Sequence, residues 1–254
     1  MHTLKPARVG LLLRHQALLY ARKTFIWLAP AALVLLLTAY TNRGADVSGS
    51  GAPFFAVWYG LLVGLGGFFV ACQSLRENRT ADGRQSFLTL PASDAEKWLA
   101  IYLWSGPIFL VVLTAGYWVV TLIVNALLGA FGLAGFAPFT PFGEDAWWAV
   151  SFYLLIVHPV GLLGAITFDT WVEPKTTGVL LAAMAGLGLV AAVAFRVVFH
   201  EAFDGLFAMR GPVEFADGNP FAIDPVWGFG HVAETLFALV LLAAAYFRFH
   251  EKEV

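Results

Sequence analysis

The chain has 254 residues, of which 59% are hydrophobic and only 13% charged, and its mean hydropathy is +0.76. A water-soluble domain carries about 25% charged residues, so this composition belongs to a chain that lives in a membrane. The 15 Lys+Arg against 17 Asp+Glu leave a formal net charge of -2, which excludes a basic nucleic-acid binder and an acidic disordered tail as descriptions of the whole. The single cysteine, Cys72, excludes an internal disulfide and a thiolate cage for zinc or an iron–sulfur cluster.

The lead over residues 1–23 is basic. Arg8, His15 and Arg22 recur every seventh residue, while Val9, Leu13, Ala17 and Tyr20 take the opposite side at helical spacing. This pattern predicts a helix lying in the membrane interface; an ordinary basic topology signal before the first span is the simpler alternative. A cleaved signal peptide is not expected, because Tyr40 stands where a small cleavage residue is needed.

The rest, residues 24–254, reads as one all-α membrane domain. A helix needs about 20 mainly apolar residues to cross the hydrocarbon, where lipid offers no partner to an unsatisfied backbone group. Six segments meet that need: Thr24 to Tyr40, Phe54 to Leu75, Trp98 to Leu128, Ala146 to Phe168, Thr177 to Phe199 and Gly228 to Phe247. The third is too long for a perpendicular crossing and is expected to bend near Gly106-Pro107, where proline removes a backbone donor. With the N-terminus in the cytosol, the cytosolic segments hold 12 of the 15 cations and leave only Arg43, Arg196 and Arg210 outside. That asymmetry predicts six spans with both termini cytosolic. Trp27, Trp98, Trp147, Trp148, Trp171 and Trp227 fall near the span ends, where an amphipathic ring prefers the interface.

Between the second and third spans, residues 76–97 form a loop far longer than a helical hairpin requires. Asp82-Gly83 is a turn signal, and Phe87, Leu88 and Leu90 form an apolar knot that must be buried against something. Pro91 stops any helix behind it, and Ser93-x-x-Glu96 is a capping box that starts the third membrane helix. The loop therefore holds a short element of its own. Either it buries itself against the membrane surface, or it docks a soluble partner.

These residues resemble the membrane permeases of type 2 ATP-binding-cassette exporters. In that family the loop commonly reads Arg-Glu, a glycine, a short stretch ending in leucines, then Pro and a hydroxyl residue before span three. Arg76-Glu77, Gly83, Phe87-Leu88, Leu90-Pro91 and Ser93 match that pattern here. The resemblance implies six transmembrane helices, an interfacial N-terminal helix and a cytoplasmic coupling helix between spans two and three, with the matching residues docking an ATPase. It implies a permease subunit that couples ATP hydrolysis on a separate ATP-binding-cassette subunit to substrate export, paired with a second permease in a bacterial cytoplasmic membrane. ATP and Mg would sit on the partner, since this chain has no Gly-x-x-x-x-Gly-Lys-Ser/Thr loop. A membrane anchor or scaffold that docks a cytosolic partner through the 76–97 loop is the competing expectation. No enzymatic activity, metal or nucleic-acid partner is expected of the chain itself.

Ionisable groups at membrane depth are costly and are functional candidates by default. His231 and Glu234 share a helical face and read as a buried or vestibule-facing polar pair. His158-Pro159 in the fourth span predicts a bend beside a satisfied core histidine, with Asn125 as a further polar contact. Residues 200–227 are acidic with interleaved aromatics, which suits an external cap or a re-entrant hairpin.

Overall fold

The computed structural model describes residues 5–41, 54–76, 79–133, 136–198 and 226–253. Glu77 and residues 199–225 lie outside them, as do the side chains of Leu88 and His231. The structure is 86% helix and has no strand among the described residues. Helix α1 is Pro6–Thr41, α2 is Phe54–Gln73, α3 is Ala81–Leu88 and α4 is Asp94–Ala130. Helix α5 covers residues 144–167, α6 is Val172–Val198 and α7 is Val226–Glu253.

Three helices are long and apolar enough to cross a membrane among the described residues: α2, α4 and the Ala146–Thr167 stretch of α5. They coincide with the second, third and fourth spans expected from the sequence. The other expected spans overlap α1, α6 and α7, helices of 36, 27 and 28 residues that are not among those three, and Phe199 at the end of the fifth lies outside the described residues. One boundary differs from expectation. The 1–23 lead and the first span are not separate elements, because α1 continues without a break across residues 23 and 24. Nothing in the Arg22-Lys23-Thr24 sequence interrupts backbone hydrogen bonding there.

Two apolar cores mark the two ends of the bundle. Leu35 and Ala39 of α1, Phe55, Tyr59 and Val63 of α2, Tyr117, Val124 and Leu128 of α4, and Ala146 and Tyr153 of α5 form one. Cys72 and Leu75, Phe87, Ile101, Leu162 and Ile166, Val172, and Ala245 and Phe249 form the other. Chain order fixes the directions: α2 and α5 run from the first core to the second, α4 runs back, α6 starts at the second and α7 ends there. Helix α1 also starts at the second end, where Val9 and Leu12 pack on Ala100. The first turn of α1, the whole of α3, the start of α4 and the end of α7 therefore meet at one end of the molecule.

At the opposite end α4 closes with Gly132 in the left-handed region (φ 69), which lets the Leu133 N–H return to the Leu128 carbonyl at 2.9 Å. Asn125 then holds the outgoing chain by both sides of its amide, accepting from the Phe136 N–H at 3.1 Å and donating to the Phe136 carbonyl at 3.2 Å. This is the polar contact expected of Asn125, and it is made to backbone.

Candidate functional site

The 76–97 segment is built from helix-terminus chemistry. The Arg79 guanidinium donates to the Cys72 carbonyl, so a cation satisfies one of the orphan acceptors at the end of α2. Thr80 caps α3, accepting from the Gly83 N–H at 3.2 Å, and Asp82 in the first turn complements the positive end of the helix dipole. The Asp82-Gly83 pair predicted as a turn is thus the first turn of an eight-residue helix. The capping box is present as expected: Ser93 Oγ accepts from the Glu96 N–H at 3.3 Å, and Glu96 Oε2 accepts from the Ser93 N–H at 2.9 Å.

Glu96 does more than close that box. Its Oε1 accepts from the Lys5 N–H at 2.8 Å, and the Arg8 guanidinium lies 3.9 Å from its Oε2. One carboxylate, in a residue 1% exposed, caps the starts of α1 and α4 together. Both helix dipoles direct their positive ends at it. At the same end of the bundle, His250 Nδ1 meets Asp94 Oδ2 at 2.9 Å, which ties the end of α7 to the start of α4, and Lys252 donates to Asp169 at 2.8 Å, which ties it to the segment between α5 and α6. The hydrogen bond from Lys252 holds the Asp169 carboxyl below its ordinary range.

Of the apolar knot expected to be buried against something, Phe87 is 5% exposed and turned into its own chain. Its ring stands edge-on to Phe249 at 6.2 Å, and the Lys97 ammonium lies 5.0 Å from the ring centroid. Leu90 is also partly buried, packed against both Phe87's core and the Val9–Leu12 cluster. The reason is length. A two-turn helix with one inward aromatic can anchor on the bundle or reach outward, and Phe249 and the Lys97 stem offer the anchor. The outward surface is polar: Arg76, Asp82, Arg84, Gln85, Thr89 and Pro91 are exposed, while Gly83 and Ser93 are half-buried.

The remaining expected site residues are scattered. His158 is fully buried, and its Nε2 pairs with Ser105 Oγ at 2.9 Å. Glu234 is half-buried on α7, far along that helix from the charged cluster, and the His231 side chain lies outside the described residues. No group of three or more potential metal ligands exists among the described residues. Sequence reasoning missed Asp94, Asp169, His250 and Lys252, whose pairs join positions far apart in the chain. It also missed Ser105 and Tyr153, which carry no motif. Compared with known proteins, the chain matches no family model, no curated protein and no solved structure.

Proposed function

We propose that this chain is the membrane permease subunit of an ATP-driven exporter. It crosses the bilayer six times with both termini in the cytosol, pairs with a second permease, and works with separate ATPase subunits that hold ATP and Mg. The observation that carries this reading is α3: a capped helix between α2 and α4, anchored inward by Phe87, with Asp82, Arg84 and Gln85 exposed on its outer side. It sits at the end where α1 begins and α7 finishes, and most cations of the sequence belong to that end under the cytosolic assignment. In this version of the reading the docking contact is polar. Phe87 transmits force into the bundle through Phe249 of α7 rather than entering the partner's cleft.

The test is co-purification from the native membrane with the double variant Asp82→Lys and Arg84→Glu. Retention of a nucleotide-binding subunit by the wild type and its loss in an inserted, folded double variant is the expected result. A wild-type chain recovered without any ATPase removes the permease reading. The anchor reading is favoured by an ATPase that stays bound yet turns over ATP at the same rate with and without this chain, because rigid seating of α3 on Phe249 suits a static platform as well.

A further inference from the structure

Three helices of the bundle each abandon α-helical hydrogen bonding for one π turn: Leu62–Gly66 in α2, Trp104–Ile108 in α4 and Tyr153–Val157 in α5. A π turn pairs i with i+5 and so leaves carbonyls without their usual donors. In α4 the Phe109 N–H is shared between the Gly106 and Trp104 carbonyls and leaves the Ser105 carbonyl, and Pro107 has no N–H to give Leu103. In α5 the His158 N–H goes to Tyr153, and Pro159 has no N–H, so the Leu154 and Leu155 carbonyls both lose their i+4 donors. Such groups are expensive away from water.

The three turns lie at one level. The Tyr153 hydroxyl donates to the freed Ser105 carbonyl, with the Gly67 carbonyl 3.4 Å away as a second acceptor. Ser105 Oγ donates to the Ile101 carbonyl at 2.8 Å and meets His158 Nε2. Contact is close enough that a Cβ on Gly67 would stand 2.2 Å from the Tyr153 ring, and one on Gly106 would stand 3.0 Å from the His158 ring. The level also separates the two cores. Along α2 the π turn includes Val63 of one core and precedes Cys72 of the other; along α4 it falls between Ile101 and Phe109; along α5 it begins at Tyr153 of the first core and precedes Leu162 of the second.

We propose that this level is a hinge shared by α2, α4 and α5, latched by the Tyr153 hydroxyl and the Ser105–His158 pair, about which the charged end of the bundle moves against the opposite end. The inference stands on the coincidence of three π turns with the boundary between two cores, independently of what docks at α3. Packed cores move as units, and an interrupted helix bends where its ladder is already broken. One aromatic hydroxyl bonded across two helices keeps the resting state straight.

Hydrogen–deuterium exchange on the full chain in lipid nanodiscs tests it. The amides of residues 62–67, 104–109 and 153–158 are expected to exchange with one common rate, faster than the flanking turns of the same helices. Tyr153→Phe should raise that common rate on the order of tenfold, the loss of one hydrogen bond, while leaving the Phe55–Tyr59 and Leu162–Ile166 turns unchanged. Ser105→Ala should act in the same direction, which keeps the test standing if the tyrosine variant folds poorly. Three unrelated rates, rates no faster than the flanks, or a uniform rise through the whole bundle in both variants would each overturn the hinge.

Discussion

The two ends of this bundle are held by different forces. At one end Phe54 stacks on Phe136 at 4.3 Å, Tyr59 and Tyr117 pack around Phe139, and each tyrosine spends its hydroxyl internally, on Thr114 at 2.7 Å and on the Phe55 carbonyl at 2.7 Å. At the other, Glu96, Asp94 and Asp169 join the first and last turns of the helices by charge-assisted hydrogen bonds. The aromatic end relies on shape and loses heavily when shape is lost. The charged end relies on several separate polar contacts, of which the His250–Asp94 and Lys252–Asp169 pairs lie near water and contribute little each.

The sharpest way to break that contrast is to empty one site at each end. Phe55→Ala removes a ring that is fully buried and packed edge-on against Phe54 and Phe136, at 5.5 and 5.8 Å. It should cost about 3–5 kcal/mol, read as a large fall in the thermal midpoint in detergent for the whole bundle. Phe87→Ala at the charged end should cost less, about 3 kcal/mol, the low end of the range for buried aromatics. Its signature differs in kind: faster proteolysis within residues 79–90 with little change in the midpoint of the rest. If Phe87→Ala unfolds the bundle as completely as Phe55→Ala, the two ends are not distinct.

A finer probe is Ser93→Ala. It deletes the side-chain acceptor that caps α4 and leaves the Glu96 carboxylate bonded to the Lys5 and Ser93 backbone N–H groups. Loss of a serine cap costs about 1 kcal/mol, so the thermal midpoint should fall by a small, measurable amount. Glu96→Gln strikes both helix starts at once, and the shift should exceed that of Ser93→Ala. An equal or smaller shift would mean that the Lys5 contact contributes nothing.

Much of this plan is legible in the sequence because membrane composition and helix punctuation are local signals. The runs of apolar residues from Phe54, Trp98 and Ala146 announce α2, α4 and α5, and Ser93-x-x-Glu96 announces the start of α4. The loop's inner anchor was half legible: Phe87 had to bury itself, but nothing local says that its partner is Phe249, some 160 residues away. The same holds for the Glu96–Lys5 bond, which needs the fold to bring the two helix starts together. The π turns were visible only through their prolines. Gly106-Pro107 and His158-Pro159 mark two of them, while the third, Leu62–Gly66, has no proline and shows in the sequence only as closely spaced glycines.

The smallest effect belongs to the Lys252–Asp169 pair, and its pH dependence gives the comparison a sign. Both side chains are well exposed, so the pair contributes under about 1 kcal/mol and is screened by salt. The hydrogen bond from Lys252 lowers the Asp169 carboxyl below its ordinary 3.8, so the native state releases its proton more readily than the unfolded chain does. The stabilisation is therefore fully present above pH 3.8, flat from there to neutrality, and lost as the pH falls through the lower native value. Asp169→Asn removes it at every pH. The wild type should resist proteolysis at the last turn of α7 better than Asp169→Asn at pH 7 and at pH 5 by the same factor, and the difference should shrink only as the pH falls below 3.8. A difference that already shrinks between pH 7 and pH 5 would show that the Asp169 carboxylate's charge is not what holds the end of α7.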